Sequence, residues 1–401
     1  MSRSRKAFIE FEKFRRLSTV LCAFTNVLPS LVRLFSRCYD QESGVPRSVF
    51  VQGMGPGLDK SAVKSRNESP VFVVGCHRSG TNLLYDTLLS AGGFAVYRGY
   101  IPIYKMLIPR FGELDRPENL RTIIDTWLRS KGFRRSGLDA EQLRYQLSSE
   151  CKNGGDFIRI IMNEVARHQN LGRWAVYDPD NVLYIPRIKA DMPDALFVHI
   201  VRDGRDIALS LKKMGGFTPF PWRREPRSLT ETALYWEWMV RKGRQDGAKI
   251  TADYFEIRYE DLVGEPRHTI ATLGEFLDQD LDYNRIQIAS LGRLSETNSS
   301  FRKDEREASG NPVNRWKQKL SREQVVAIES AVGECLEESG YRLTTSKEER
   351  RPGLRDELLR TVYPKLLEAK LWLKIRTPIG RFTDLSALEV ASPDSQPETV
   401  A

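Results

Sequence analysis

The chain has little histidine and cysteine: four of the first and five of the second in 401 residues. Cys22, Cys38, Cys76, Cys151 and Cys335 are scattered and odd in number, and no two stand at the C-x-x-C spacing of a redox or metal site. They read as reduced thiols in a cytosol-like compartment, not as a disulfide framework. His77, His168, His199 and His268 are isolated, which argues against zinc and leaves no metal ligands to assign. Long apolar runs are scarce too. The longest near the N-terminus, Leu17–Leu28, is too short to span a bilayer and is interrupted by Thr25 and Asn26. It has no clean small-residue cleavage site. With Arg3, Arg5, Lys6, Lys13, Arg15 and Arg16, residues 1–43 read as a basic amphipathic helical segment. That segment can pack on the chain's own core or touch a membrane as a peripheral helix. The expected location is cytoplasmic, with peripheral membrane contact as the alternative.

What is present describes a globular protein with 40% hydrophobic and 29% charged residues. The net charge of +9 favours a polyanionic partner such as a phosphorylated cofactor, an acidic glycan or a membrane surface. Nucleic acid is not expected, because the charge is dispersed and no recognition module appears. A linker at 44–69 precedes the strand-like run Val71–Val74. Further strand-like runs follow at Trp174–Tyr177, Leu196–Val201 and Tyr254–Tyr259. Between them lie helical patterns at Asn82–Ala91, Pro117–Ser130, Asp156–Gln169, Val182–Met192, Arg205–Met214, Leu229–Gly243 and Pro266–Leu277. Strands alternating with helices predict an α/β fold with three α/β/α layers around a central parallel sheet. The main domain is expected over 70–343 and a helical extension over 344–385, with Leu358, Val362, Leu366 and Leu367 on one face. A disordered tail is expected over 386–401.

Two segments share an architecture. In VFVVGCHRSGTNLL (71–84), an apolar strand runs into a Gly-containing turn and then a helix. Gly75 and Gly80 are spaced as in the phosphate loop G-x-x-x-x-G-K-[ST], but Thr81 and Asn82 replace the lysine and the Mg²⁺-binding hydroxyl. Backbone N–H groups and the helix N-terminus, with Arg78, Ser79 and Thr81, would make a nest for a tetrahedral anion without a metal. In LFVHIVRDGRDIALSL (196–211), a strand again leads through a charged turn to a helix. Asp203 and Asp206 are placed as in a capping arrangement. Ile207, Leu211 and Met214 make a core-facing stripe, and Ser210 falls off it toward the turn. Arg202 lies at the strand's carboxyl end, the edge where open α/β sheets bind ligands. Arg202 and Ser210 could hold a second phosphate; an Arg–Asp ion-pair cluster is the bland alternative.

Together these segments resemble the sulfotransferases that use 3′-phosphoadenylyl sulfate (PAPS). HRSGTN (77–82) matches the loop that grips the 5′-phosphosulfate, and RDGRDIALS (202–210) matches the motif that supplies an arginine and a serine to the 3′-phosphate. YEDLVGEP (259–266) and NRWKQKLS (314–321) resemble later elements of the family. The resemblance runs from about 70 to 343 and implies a P-loop-like fold of the bacterial, carbohydrate-type or tyrosylprotein-like branches. It implies metal-free transfer of the sulfuryl group to an acceptor hydroxyl or amine, leaving adenosine 3′,5′-bisphosphate. By the same resemblance Arg78 takes the catalytic Lys/Arg position. His77, Ser79, Gly80, Thr81 and Asn82 line the 5′ end, and Arg202 and Ser210 hold the 3′-phosphate. Tyr259 lies near the adenine and Arg315 adds a 3′-phosphate contact.

The general base departs from the family pattern. The stretch expected to carry it, GFAVYRGYIPIYKML (93–107), has no Glu, Asp or His. The remaining candidates are Asp178 in WAVYDPDN, where Tyr177 stands in place of a lysine frequent in relatives, then Glu113 and His77. The aromatic and arginine-rich stretches TWLRSKGFRRSG (126–137) and PFPWRREPR (219–227) suit a carbohydrate or anionic glycoconjugate. A lipid or natural-product alcohol is the alternative acceptor. A P-loop kinase or a non-catalytic nucleotide-binding module are the alternative functions. Oligomeric state is not readable from the sequence.

Overall fold

The computed structural model describes residues 66–215, 225–289 and 313–390. The expected N-terminal helical segment lies outside them. Five strands build the frame: β1 Val71–Gly75, β2 Phe94–Ala95, β3 Arg173–Tyr177, β4 Leu196–Val201 and β5 Tyr254–Arg258. They run in the order β2-β3-β1-β4-β5, and every pairing is parallel. β1 therefore lies between β3 and β4, with Val73 opposite Tyr177 on one side and Val198 on the other. Four of the five strands coincide with runs read from the sequence. β2 is two residues long, too short to leave a pattern.

The strands are buried on both faces, as helix-covered parallel sheets are. Phe72 and Val74 of β1 join one core, and Val71 and Val73 join the other. The longer helices are α1 Thr81–Ala91, α2 Pro117–Leu128, α3 Ala140–Glu150, α4 Gly154–His168, α5 Gly204–Lys213, α6 Leu229–Gly247, α7 Pro266–Leu277, α8 Arg322–Glu338 and α9 Leu354–Arg376. α1 and α7 cover the Val71/Val73 face. α4, α5, α6, α8 and the inner face of α9 cover the other. This is the expected three-layer α/β/α arrangement.

Three local expectations change. Met214 is exposed, so the stripe of α5 ends at Leu211, because the helix stops at Lys213. Along α9 the buried residues are Tyr363, Leu367 and Leu371, while Leu358 is exposed. Nearer the start of α9, Leu359 packs against the core while Leu354 and Leu358 are exposed. Ser386–Leu388 forms a 3-10 turn with Leu388 buried, inside the stretch assigned to a disordered tail. None of the described helices is long and apolar enough to cross a membrane.

Candidate active site

The carboxyl ends of β1, β3, β4 and β5 open on one edge of the sheet, where the charged loops gather. Because β1 and β4 are hydrogen-bonded neighbours, with Gly75 opposite Ile200, their loops lie side by side. Arg78 donates from Nε to Ser210 Oγ at 3.1 Å, and Arg202 donates to the Arg78 carbonyl at 3.3 Å. The two loops thus form one surface. Burial and then the Arg202 charge lower the pKa of Arg78. Two guanidiniums held this close repel each other, an arrangement that suits a multiply charged anion.

The loop's conformation is specific. Arg78 has φ +75°, uncommon for a residue with a side chain and characteristic of strained functional turns. Gly80 has φ +99°, and a Cβ there would strike the Tyr259 ring, with Cε2 only 2.8 Å away. No side chain caps α1. Its first amides and positive dipole end therefore stay available to a ligand. Ser79 is fully buried, yet its Oγ has no hydrogen-bond partner among the described residues. Thr81 is buried at the first turn, and Asn82 beside it is exposed. Tyr259 lies under the loop, with Arg202 over its ring at 4.3 Å.

Asp206 does not cap α5 as expected. Asp203 does so alone, accepting from the Arg205 amide. Asp206 instead accepts from the backbone N–H groups of Asn314 at 3.0 Å and Trp316 at 2.8 Å, and it sits 3.8 Å from Arg202. Burial raises its pKa to about 6. This carboxylate ties Arg315 and its neighbours to the second loop. Arg205 belongs to the ion-pair cluster that was the bland reading of the motif, bonded to Asp203 and Glu329 and stacked on Trp316. Arg202, by contrast, faces the loop.

A second cluster adjoins the first. His77 turns away from the loop and meets Asp180 Oδ1 at 3.2 Å. Lys105 pairs with the other oxygen of the same carboxylate. The Asp180 amide donates to Asp178 Oδ1 at 3.1 Å, while Asp178 Oδ2 is buried with no partner among the described residues. The two carboxyls diverge. Burial raises Asp178. Burial acts the same way on Asp180, but the His77 and Lys105 charges overcome it and hold Asp180 far below the usual range. Burial likewise opposes the His77 imidazolium, yet Asp180 outweighs it and the His77 pKa is raised. Asp178 also lines a small cavity with Tyr85, Tyr97, Tyr100, Tyr177 and Ile158. Glu113, the other carboxylate candidate, is half exposed and engaged by Arg187 at 2.6 Å.

Asp180 and Lys105 escaped the sequence reading. The Asp178-x-Asp180 spacing was a signal for the first. Nothing local marked Lys105, which reaches the cluster through a π-helical turn, Ile103–Leu107. The stretch 126–137 does not offer a stacking platform: Trp127 is fully buried between Phe133 and Phe157. Residues 219–224 lie outside the described residues. Arg227 is buried, donating to the Tyr363 hydroxyl at 2.8 Å.

An α/β sheet with two arginine-bearing loops and a neighbouring carboxylate pair at the carboxyl ends of its strands is an arrangement suited to a group-transfer enzyme. The chain belongs to the sulfotransferase family, whose model matches residues 70–283. No curated protein matches it. Similar solved structures include the sulfotransferase domain of the curacin biosynthetic pathway, 18% identical over 68% of this chain and 98% of that one, with a TM-score of 0.41. The sulfotransferase domain of the Synechococcus PCC 7002 olefin synthase is 16% identical over 67% and 93%, with a TM-score of 0.40. A Mycobacterium tuberculosis H37Rv sulfotransferase is 20% identical over 55% and 70%, with a TM-score of 0.33.

Proposed function

We propose that this sulfotransferase uses PAPS as donor and sulfates a hydroxyl of its acceptor. The observation that carries the donor assignment is the joining of the two loops through Arg78, Ser210 and Arg202. PAPS presents a 5′-phosphosulfate and a 3′-phosphate, and the site offers two adjacent anion-binding loops to receive them. The fit extends to the orphaned Ser79 hydroxyl, and to the Gly80 cradle that a Cβ would fill.

When bound, PAPS supplies an activated sulfuryl group whose departure leaves charge on a phosphate oxygen. Arg78 and the α1 amides are fixed donors for that charge, so no metal is required of them. Ser79, Gly80, Thr81 and Asn82 hold the 5′ end, with His77 anchoring the start of the loop to Asp180. Arg202, Ser210 and Arg315 hold the 3′ end above Tyr259. Asp178 is the base: it is buried, its Oδ2 is free to accept a proton, and its raised pKa makes it a stronger base than an ordinary carboxylate. Asp180, kept ionised by His77 and Lys105, orients Asp178 through its amide.

The test is transfer of radiolabelled sulfate from PAPS to an acceptor library, with adenosine 3′,5′-bisphosphate binding measured alongside. Arg78→Ala should abolish transfer, and Arg202→Ala should mainly weaken the bisphosphate. Unchanged bisphosphate affinity in Arg202→Ala would refute the pose.

A further inference from the structure

Helix α9 follows the stretch matched by the family model, and it reaches the candidate active site. It docks on α6 and its approach: Tyr363 accepts from Arg227, and Glu368 accepts from the Trp238 indole at 3.0 Å. Beyond its end, the turn Pro378–Phe382 lands on Ile108–Phe111. There Gly380 packs so closely that a Cβ would lie 2.7 Å from the Pro109 carbonyl oxygen. Arg110 donates to the Arg381 carbonyl at the same junction. The C-terminal end of α9 is thereby fixed beside the π-helical turn that carries Lys105.

At about 100° per residue, Tyr363, Leu367, Lys370, Leu371 and Lys374 fall on one stripe. The inward face of α9 thus begins apolar and ends in two lysines. Lys370 lies toward solvent and Lys374 is half buried. The Lys374 ammonium has no hydrogen bond or ion pair among the described residues. The charged groups facing it are Lys105 from the π-helical turn, Asp180 and Asp178 after β3, and Lys370 of its own helix. Asp180 is already shared by Lys105 and His77. Arg227 adds a further positive charge near Lys370. Of the two carboxylates facing Lys374, one is thus already taken by two other cations, so Lys374 is left with no ion pair of its own among the described residues.

We propose that Lys374 and Lys370, with the facing Lys105, form a subsite for an anionic group of the acceptor. That group is a carboxylate or phosphate on the molecule whose hydroxyl is sulfated. The proposal rests on the sulfotransfer reading and extends it. The donor's own charges are met elsewhere, at Arg78 and Arg202, so Lys374 is left for the acceptor. A half-buried ammonium with no direct ion-pair partner is costly, and an anion bound against it relieves that cost. Burial first, then Lys105, lowers the Lys374 pKa to about 8. Anion affinity should therefore fall as pH rises through about 8, where the free ammonium loses its proton.

The experiment is calorimetry on the full chain saturated with adenosine 3′,5′-bisphosphate, titrated with glucuronate, glucose 6-phosphate or glucose. Both anions should bind about tenfold or more tighter than glucose, as hydrogen bonds to charged groups allow. Lys374→Met should lose about tenfold for the anions while keeping bisphosphate affinity, which also reports that the variant is folded. Wild-type anion binding should weaken by up to about tenfold from pH 7 to pH 9. Lys374→Arg should keep the binding and lose that pH dependence, an outcome a merely structural lysine would not produce. Equal affinity for glucose and the anions, or an unchanged Lys374→Met, overturns the subsite while the donor reading stands. Failure of the wild type to bind the bisphosphate overturns both.

Discussion

Removing one oxygen atom, in Ser79→Ala, should move stability and binding in opposite directions. Ser79 is fully buried and its Oγ has no partner among the described residues. Holding such a hydroxyl dry costs the free protein about 1–3 kcal/mol. The cavity left by deletion is one oxygen in size, roughly 15 Å³, and costs only about 0.4 kcal/mol at ~24 cal/mol per Å³. The backbone is unaffected, since the Ser79 amide already bonds to the Cys76 carbonyl at 3.1 Å. The free variant should therefore gain about 1–2 kcal/mol and melt roughly 2–4 °C higher. With adenosine 3′,5′-bisphosphate the sign reverses. A hydroxyl donating to phosphate is worth about 1.5–3 kcal/mol, so affinity should fall about 10- to 150-fold. Thermal melts with and without the bisphosphate, followed by calorimetry, read both effects. A lower melting point for the free variant, or affinity within about threefold of wild type, would refute the reasoning.

Three further substitutions test the rest of the site. Asp178→Asn should cut turnover about 10²- to 10⁴-fold with bisphosphate affinity intact, and an active variant would remove Asp178 from the mechanism. Because burial raises the Asp178 pKa and the base must be ionised, wild-type turnover should fall on acidification, at a higher pH than an exposed aspartate would impose. A flat acid limb in the pH–rate profile would contradict this. Gly80→Ala forces a Cβ into the Tyr259 ring at positive φ, so melting temperature and bisphosphate binding should drop together. Asp206→Ala leaves the Asn314 and Trp316 amides without their acceptor, at about 1–3 kcal/mol each. Urea midpoints and bisphosphate affinity should both fall as Arg315 loses its tether.

Much of the frame was legible because its signals are local. Val71–Val74 and Leu196–Val201 are short apolar runs that end in charged turns, and a strand needs nothing more to announce itself. The two arginine-bearing loops were legible as strand–turn–helix units for the same reason: each is contiguous, and the resemblance spans each in one piece. What escaped is tertiary. The part played by Asp206 depends on amides more than a hundred residues away, and a carboxylate near a helix start reads as a cap until those amides arrive. Lys105 is one lysine in an apolar stretch until a π-helical turn aims it at Asp180. The face of α9 was read only in part: Leu367 is buried, but Leu358 is exposed and Val362 and Leu366 are only partly buried. Periodicity alone could not show which of two overlapping stripes would meet α6.

The adjacency of β1 and β4 turns the sheet into a ruler. Neighbouring strands stand about 4.8 Å apart in any sheet, and the ladder from Val71–Leu196 to Gly75–Ile200 leaves no slack in that spacing. The spacing of the Arg78 and Arg202 loops is therefore set by backbone geometry. In the proposed pose, that spacing fixes the span between the two ends of the donor. The acceptor contacts proposed on the π-helical turn and on α9 have no such gauge. In that pose, substrate choice can drift while the donor stays the same.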